Sequence, residues 1–220
     1  MKPKALDLCC GAGGASMGLA KAGFDVTGVD IEDQPDYLWR FVKGDAMTYP
    51  FDGFDFVWAS PPCQRHSTLK TKLTKDYADL IPGLRARLKA WGGPYVIENV
   101  VGAPLDNPIM LCGLEFGLGV IRHRIFETNF AVGYGPSSRP HKKHDGGTGS
   151  HRWPYTGKYL QVTGTGGNYK LEDAKRAMGN WWIDSKHGMS ESIPWVYSKF
   201  IADIYKATER YQVRQLSVEA

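Results

Sequence analysis

The sequence predicts an α/β fold with a mostly parallel sheet, helices on both faces and a small irregular insertion at about 131–175. A glycine-dense turn at 11–14 joins a short apolar stretch at 5–8 to a stretch at 17–24 whose apolar residues have helical spacing. Four more apolar or amphipathic stretches follow, at 24–29, 54–59, 80–91 and 95–97. The third of these is patterned as a helix and the others as strands, and such alternation is typical of parallel sheets.

The length and composition fit one intracellular domain. The chain has 220 residues, enough for a full core, and we expect residues 1–220 to form a single domain. We see no apolar run of membrane-spanning length and no signal-peptide core. The four cysteines lack the spacing of a disulfide framework, which indicates a reducing compartment. We therefore expect a cytoplasmic monomer with no membrane partner.

The first turn has the composition of a ligand-binding loop. Glycines let a ligand approach the backbone and tolerate positive φ. In the spacing G-x-G-x-x-G counted from Gly11, the sixth position is Ser16, which favours a nucleoside without phosphates over a dinucleotide. Asp30 and Glu32 stand at the end of the second strand. In nucleotide-binding βαβ units, an acidic side chain at this position accepts a hydrogen bond from a ribose hydroxyl. Asp45 ends the third strand and can accept a hydrogen bond from an adenine amino group. A glycine-rich turn of no particular function is the alternative.

The stretch Ser60-Pro61-Pro62-Cys63-Gln64 follows a buried strand pattern. Two consecutive prolines stiffen the backbone and hold the next side chain at the ligand-binding edge of the sheet. This placement indicates that Cys63 is a nucleophile. The alternative is a buried structural cysteine, which fits poorly beside the polar residues that follow.

The triplet Glu98-Asn99-Val100 ends the next strand at the same edge. A carboxyl group between an apolar strand and a pocket can have a raised pKa and act as an acid. An ordinary strand-end cap is the alternative.

The net charge of +4 is unevenly distributed. Residues 1–60 have an excess of acidic side chains, whereas residues 61–160 have an excess of basic ones. The stretch 65–75 combines cationic and hydroxyl side chains without apolar periodicity, so we expect an exposed loop that contacts phosphates. The basic middle of the chain predicts a polyanionic partner, and a merely solvated basic surface is the alternative.

Two more stretches follow along the chain: Arg122-His123-Arg124-Ile125-Phe126 and Ser192-Ile193-Pro194. Together with the glycine turn, the Pro-Pro-Cys-Gln stretch and the Glu-Asn-Val triplet, they resemble the motifs of the DNA cytosine-5 methyltransferases. The resemblance covers about residues 5–130 and 175–205. It implies a Rossmann-like fold that uses S-adenosylmethionine, and DNA as the partner. It is closest to small phage-type members with a reduced target-recognition region.

The resemblance also implies roles for individual residues. Cys63 would attack C6 of a flipped-out cytosine, Glu98 would act as the acid near N3, and Arg124 would hold O2, with Arg122 behind it. The residues expected to bind the cofactor are Asp7, Cys10, Gly11, Ala12, Gly13, Gly14, Asp30, Ile31, Asp45, Pro61, Glu191 and Ser192. The residues expected to contact nucleic acid are Gln64, Arg65, Ser67, Lys70, Lys72, Arg139, Lys142, Lys143 and Arg152.

The chain departs from the family pattern in two places. Only about 131–175 is available for target recognition, and its histidines (His141, His144 and His151) could alternatively bind a metal, although no cysteine lies nearby. Ser190-Glu191 stands where the family's last motif begins with Gly-Asn, which leaves open an unusual sulfonium cofactor. Residues 206–220 are patterned as a polar tail without an assignable role.

Three other functions remain open at this point. A tRNA cytosine-5 methyltransferase would have a similar set of motifs. A catalytically silent nucleic-acid-binding module could keep the fold, although the combination of Cys63, Glu98 and Arg124 speaks against it. An unrelated nucleotide-binding α/β protein is disfavoured by the order of the motifs. Enzymes that methylate amino groups of DNA usually carry an aromatic residue after Pro-Pro, where Cys63 stands.

Overall fold

The computed structural model describes residues 1–63, 78–133, 159–162 and 169–216, with the backbone alone for residues 210–216. Within them, seven strands form one sheet in the order β3-β2-β1-β4-β5-β7-β6. The strands are β1 (Lys4–Leu8), β2 (Asp25–Asp30), β3 (Arg40–Lys43), β4 (Phe56–Ala59), β5 (Tyr95–Asn99), β6 (Ile109–Leu111) and β7 (Arg124–Thr128). The first five strands are parallel to one another, and β7 is antiparallel to β5 and β6. The predicted mostly parallel α/β fold is confirmed.

Helices cover both faces of the sheet. They are α1 (Gly14–Lys21), α2 (Ile81–Trp91), α3 (Leu171–Met178), α4 (Lys186–Glu191) and α5 (Trp195–Leu216), with a 3-10 turn at Gly113–Phe116. Strand side chains alternate between the two faces. Phe56 and Trp58 therefore pack on the side of α1 and α5, whereas Val57 and Ala59 pack on the side of α2. No described helix has the combined length and apolar character that a membrane span requires.

One sequence-based boundary was wrong. The predicted polar tail at 206–220 is helical as far as Leu216, because the apolar face of α5 holds the helix against α1 while its outer face is polar. Lys206, in that region, donates a hydrogen bond to the carbonyl oxygen of Ala22 (2.8 Å). A small irregular insertion was predicted at about 131–175, and α3 begins near the end of this range, at Leu171.

Close packing of α1 on α5 depends on Gly18. A methyl group there would lie 2.0 Å from Ser198 Oγ and 2.2 Å from the carbonyl oxygen of Trp195. We expect Gly18→Ala to lower the free energy of unfolding by about 2–3 kcal/mol, because the helices must separate to admit the methyl group. Urea unfolding would measure it. The control is Gly44→Ala, where the nearest atom would be Val29 Cγ1 at 3.5 Å. Equal effects of the two changes would contradict the packing argument.

Candidate active site

The carboxyl ends of β1, β4 and β5 bring the motifs to one edge of the sheet. Leu8 pairs with Ala59, and Ala59 pairs with Ile97, so the residues that follow these three emerge side by side. Asn99 Nδ2 donates a hydrogen bond to the carbonyl oxygen of Pro61 (3.0 Å). This bond fixes the Pro-Pro turn that presents Cys63, so the structure brings the predicted nucleophile and the predicted acid to the same place.

Glu98 and Arg124 form a buried ion pair across β5 and β7. Arg124 Nε lies 3.0 Å from Glu98 Oε1, and the two side chains are 14% and 8% exposed. Glu98 is opposite Phe126 in the register, so Arg124, two residues away, points to the same face. Burial raises the pKa of Glu98, and Arg124 and a hydrogen bond with Ser60 oppose the rise. The carboxyl group is therefore suited to hold a proton at a higher pH than a surface glutamate.

Cys63 is half-buried beside this ion pair. Burial raises the pKa of its thiol, and Arg124 lowers it most strongly among the charged neighbours. Glu98 raises the pKa and Arg122 lowers it. The net pKa of the thiol is raised, and the two guanidinium groups partly offset this rise by favouring the thiolate, which is the reactive form of a cysteine nucleophile.

Arg122 has partners other than those that the sequence predicted. Its terminal nitrogens donate to the carbonyl oxygens of Val162 and Ser190, the latter at 2.6 Å. Burial lowers the pKa of this guanidinium to about 9. We predicted that Arg122 lies behind Arg124 and helps it to hold the base. In the structure its guanidinium donates to backbone carbonyls of two other segments, and its part in holding the base stays a prediction.

The glycine turn is shaped to admit a ligand. Gly11 and Gly13 have φ values of +49° and +83°, and a Cβ on Gly11 would meet no atom within 4 Å. Gly11 N donates to Asp30 Oδ2 (2.9 Å), and Glu32 N donates to Asp30 Oδ1 (3.0 Å). The Asp30 carboxylate is therefore fixed beside the turn, and each of its oxygens keeps a lone pair for a further donor.

The remaining predicted cofactor residues divide into exposed and buried ones. Ile31 is 66% exposed next to Asp30, and the Gly44 amide, one residue before Asp45, donates to the Asp30 carbonyl oxygen (2.9 Å). Cys10, Ala12 and Pro61 are buried. Because the Cys10 side chain packs on Gly28, any contact that Cys10 makes with a ligand would come from its backbone.

Asp7 was predicted to be a cofactor-binding residue, which stays a prediction, and its side chain has no exposed surface. Ser16 Oγ donates to Asp7 Oδ2 (2.6 Å), and the Tyr37 hydroxyl hydrogen-bonds with Ser16 Oγ (2.7 Å). Asp7 Oδ1 is buried and has no hydrogen-bond partner within the described chain. Asp7 supports the glycine turn from below instead of lining its surface.

The burial of Asp7 predicts a pH dependence of stability. Burial raises its pKa from 3.8 to about 7. Between these two pH values, Asp7 is protonated in the folded protein and ionised in the unfolded chain. This contribution to stability is complete below the unfolded pKa and is lost as the pH rises through about 7. The free energy of unfolding of the wild-type protein should therefore fall between about pH 5 and about pH 8. We expect Asp7→Asn to remove about 2 kcal/mol of this fall. Urea titrations at each pH would measure it, and parallel curves for both proteins would contradict it.

The segment before α5 packs against the glycine turn. A Cβ on Gly14 would lie 2.5 Å from the carbonyl oxygen of Ile193, so this segment touches the turn directly. Asn180 Nδ2 donates to Ser192 Oγ (3.0 Å) and to the Ile193 carbonyl oxygen (2.8 Å). The Glu191 side chain is 48% exposed, and its Oε2 lies 3.2 Å from His187 Nε2. Burial raises the pKa of Glu191, His187 lowers it, and the negative charge of Asp30 raises it.

Sequence reasoning missed several supporting residues. Asn180 fixes the Ser192–Ile193 backbone, and Trp182 Nε1 donates to the Ala12 carbonyl oxygen in the glycine turn (2.8 Å). The Gly179-Asn180 pair could have been a signal, because the family's last motif begins with Gly-Asn. Trp182 carried no such signal.

The predicted nucleic-acid contacts lie outside the described residues. They are Gln64, Arg65, Ser67, Lys70, Lys72, Arg139, Lys142, Lys143 and Arg152. The three histidines at 141, 144 and 151 lie there as well. In the part of the chain that the structure describes, no group of three or more His, Cys, Asp or Glu side chains could hold a metal ion.

Sequence comparisons find partial matches. No protein-family profile matches the chain. The type II methyltransferase M.NgoMIV from Neisseria gonorrhoeae is 32% identical over 117 residues, which is 46% of this chain and 37% of that protein. The cytoplasmic isoleucine–tRNA ligase from Caenorhabditis elegans is 32% identical over 101 residues, but the match covers only 8% of its length. The chain thus spans little more than a third of the methyltransferase that it matches.

Solved structures share the fold along almost the whole chain. A prophage-encoded E. coli protein, assigned as a DNA modification methyltransferase, has a TM-score of 0.64 at 14% identity, covering 93% of this chain and 99% of that one. S. pombe Dnmt2 methyltransferase has a TM-score of 0.61 at 15% identity, with 94% and 99% covered. At this identity the likeness shows the fold alone. The predicted Rossmann-like methyltransferase fold is confirmed.

Proposed function

We propose that this chain transfers a methyl group from S-adenosylmethionine to C5 of cytosine in DNA, through a covalent adduct of Cys63 with a flipped-out base. The observation that carries the proposal is the placement of Cys63 beside the buried Glu98–Arg124 pair, next to a glycine turn at the same edge of the sheet. The sequence similarity to a type II methyltransferase supports methyl transfer to DNA.

The residues around the glycine turn fit S-adenosylmethionine. The space above Gly11 is open, the Asp30 carboxylate can accept ribose hydroxyls, and Glu191 adds a negative charge on the same side. Backbone groups of the turn, Ile31, Asp45, Pro61 and Ser192 would complete the site. The cofactor supplies a methyl group made electrophilic by its sulfonium.

Each catalytic side chain has a distinct task on the base. The Cys63 thiolate adds to C6, and a proton from Glu98 at N3 neutralises the charge that would otherwise build up on the ring. C5 is then nucleophilic and takes the methyl group. Loss of the C5 proton to a base, and departure of the thiolate from C6, restore the aromatic ring. Arg124 would hold O2 of the base while it keeps Glu98 in place.

The proposed partner is DNA, and the site requires the target base to leave the stack. The charge excess of residues 61–160 supports a phosphate-contacting surface. The predicted contacts at 64–72 and 139–152 belong to this proposal, as does a small phage-type target-recognition region at about 131–175. We further propose a monomer in the cytoplasm.

Product analysis tests the proposed reaction. Unmethylated duplex DNA and, in parallel, tRNA would be incubated with the protein and S-adenosylmethionine, digested and examined by nucleoside mass spectrometry. The proposal predicts 5-methyl-2′-deoxycytidine from DNA. A methylated cytidine from tRNA alone would indicate a tRNA methyltransferase. No product from either substrate would indicate a catalytically silent nucleic-acid-binding module.

Asp30→Ala tests the proposed cofactor site. We expect it to weaken the affinity for S-adenosylhomocysteine by roughly 10- to 100-fold, because a carboxylate acceptor of the ribose is lost. Titration calorimetry would measure the dissociation constant. The matched control is Asp33→Ala, which removes a carboxylate that is 77% exposed and that pairs, among the described residues, with the exposed Lys43. If the two variants bind alike, Asp30 does not hold the cofactor.

A further inference from the structure

The Arg122 guanidinium joins two segments that are far apart in the sequence. It is buried, and it donates to the carbonyl oxygens of Val162 and Ser190, 40 and 68 residues away. The backbone of Arg122 is itself fixed, because the Tyr197 hydroxyl of α5 donates to its carbonyl oxygen (2.8 Å). Its φ of +23° is unusual for a residue other than glycine. The surrounding structure holds this arginine in a strained conformation that aims it at both carbonyls.

The Ser190 carbonyl belongs to the cofactor side of the site. Glu191 and Ser192 follow it directly, and the Ile193 carbonyl oxygen touches Gly14 of the glycine turn. The Tyr169 hydroxyl is 2.6 Å from Ser190 Oγ and donates to the Lys186 carbonyl oxygen (3.0 Å), so the end of α4 is held from a second direction. A shift of Ser190 would therefore displace the residues proposed to bind the cofactor.

The Val162 carbonyl belongs to the segment proposed to read the target. Residues 159–162 lie within the range 131–175 and are attached to the chain just before Arg122. The Leu160 amide donates to the Gly119 carbonyl oxygen (2.8 Å), and Leu160 forms a parallel bridge with Val120. Arg122 also stands two residues before Arg124, which pairs with Glu98.

A buried guanidinium is stable only while its donors are satisfied. Arg122 Nε has no hydrogen-bond partner within the described chain. The hydrogen bonds to the Val162 and Ser190 carbonyls therefore offset most of the free-energy cost of burying the guanidinium. Movement of either segment would leave a second buried donor of Arg122 unpaired. The guanidinium would then be less stable in its position, and its hydrogen bond to the other segment would be weakened. The two segments are thus stabilised together.

We infer that Arg122 is a positioning residue that couples nucleic-acid binding to cofactor binding, by holding the segment at Val162 and the segment at Ser190 in one arrangement. This role rests on the proposed function, because it assigns the two segments to the two substrates. DNA bound beside Val162 stabilises this residue in its position, and through Arg122 it stabilises the position of Ser190 for the cofactor. By linkage, each ligand then raises the affinity for the other by the same factor.

Calorimetry with S-adenosylhomocysteine, in the absence and presence of a saturating cytosine-containing DNA duplex, tests this role. We expect DNA to tighten cofactor-product binding by about 5-fold or more in the wild-type protein. Arg122→Met should reduce this factor to less than about 2-fold, because both donors are lost. Arg122→Lys, which keeps the charge and a donor for one carbonyl, should give an intermediate factor.

The control is Arg85→Met. Arg85 also pairs with a buried carboxylate, Glu127 (2.7 Å), and donates to a carbonyl oxygen, but neither partner lies in the two segments. Its loss should lower stability and leave the coupling factor unchanged. A wild-type coupling factor in a folded Arg122→Met protein would overturn the inference, and if that variant does not fold, the lysine variant decides in the same way. No coupling in the wild-type protein would overturn the inference alone, whereas no binding of S-adenosylhomocysteine would overturn the proposed function.

Discussion

Replacement of Cys63 by alanine is expected to reduce methyl transfer by roughly 10⁴-fold or more, because no other route makes C5 of cytosine nucleophilic. Binding of S-adenosylhomocysteine should stay within about twofold of the wild-type affinity. The thiol lies on the Pro-Pro turn, held by Asn99, and not on the glycine turn. Single-turnover assays and calorimetry on the same preparation would separate the two effects.

Cys112→Ser provides the matched control for this prediction. The Cys112 thiol is buried and donates to the Ile121 carbonyl oxygen (3.1 Å), a bond that a serine hydroxyl can replace. This variant also removes a thiol, and its methyl transfer should be close to that of the wild-type protein. Retention of activity by Cys63→Ala, or an equal loss in both variants, would remove Cys63 from the mechanism.

Glu98→Gln is expected to lower the rate of methyl transfer by roughly 10²–10⁴-fold, because the proton donor at N3 is lost. Glutamine keeps an oxygen that can accept from Arg124 Nε, now 3.0 Å from the carboxylate, so the fold should be retained. Single-turnover rates and urea unfolding would be measured together. A rate within tenfold of wild type would show that Glu98 is not the acid.

Glu98→Ala is the informative contrast to the glutamine variant. It leaves the largely buried Arg124 without its partner, which is expected to lower the free energy of unfolding by about 3–5 kcal/mol. The rate loss should resemble that of Glu98→Gln, since both variants lack the acid. Similar stability of the two variants would indicate that the ion pair contributes little to the fold.

The sequence predicted the parts of the fold that local patterns determine. A buried apolar run followed by a polar turn was enough to place Cys63 and Glu98 at one edge, because the carboxyl ends of parallel strands meet there. The antiparallel strands β6 and β7 were not predicted. Their pairing depends on contacts between residues distant in the sequence, and β6 has only three residues.

Individual side-chain partners were harder to predict than elements. Asp7 lies at the start of the stretch that we expect to bind the cofactor, yet strand alternation turns its carboxylate inward to Ser16. The residues around Arg122 in the sequence do not predict that it binds carbonyl groups 40 and 68 positions away. Similarly, the residues after Tyr205 are mostly polar, and for this reason we did not predict that α5 continues beyond Tyr205. In each case tertiary contacts decided the outcome.

Trapping of the covalent adduct tests the central claim most directly. A DNA duplex with 5-fluorocytosine at target positions would be incubated with the protein and S-adenosylmethionine, and the protein would be examined by intact and peptide mass spectrometry. Fluorine cannot leave C5 as a proton does, so the adduct should persist after methyl transfer. We predict DNA attached to Cys63, and none in Cys63→Ala. Methylation of ordinary DNA without an adduct on fluorinated DNA, or an adduct at another residue, would contradict the proposed mechanism.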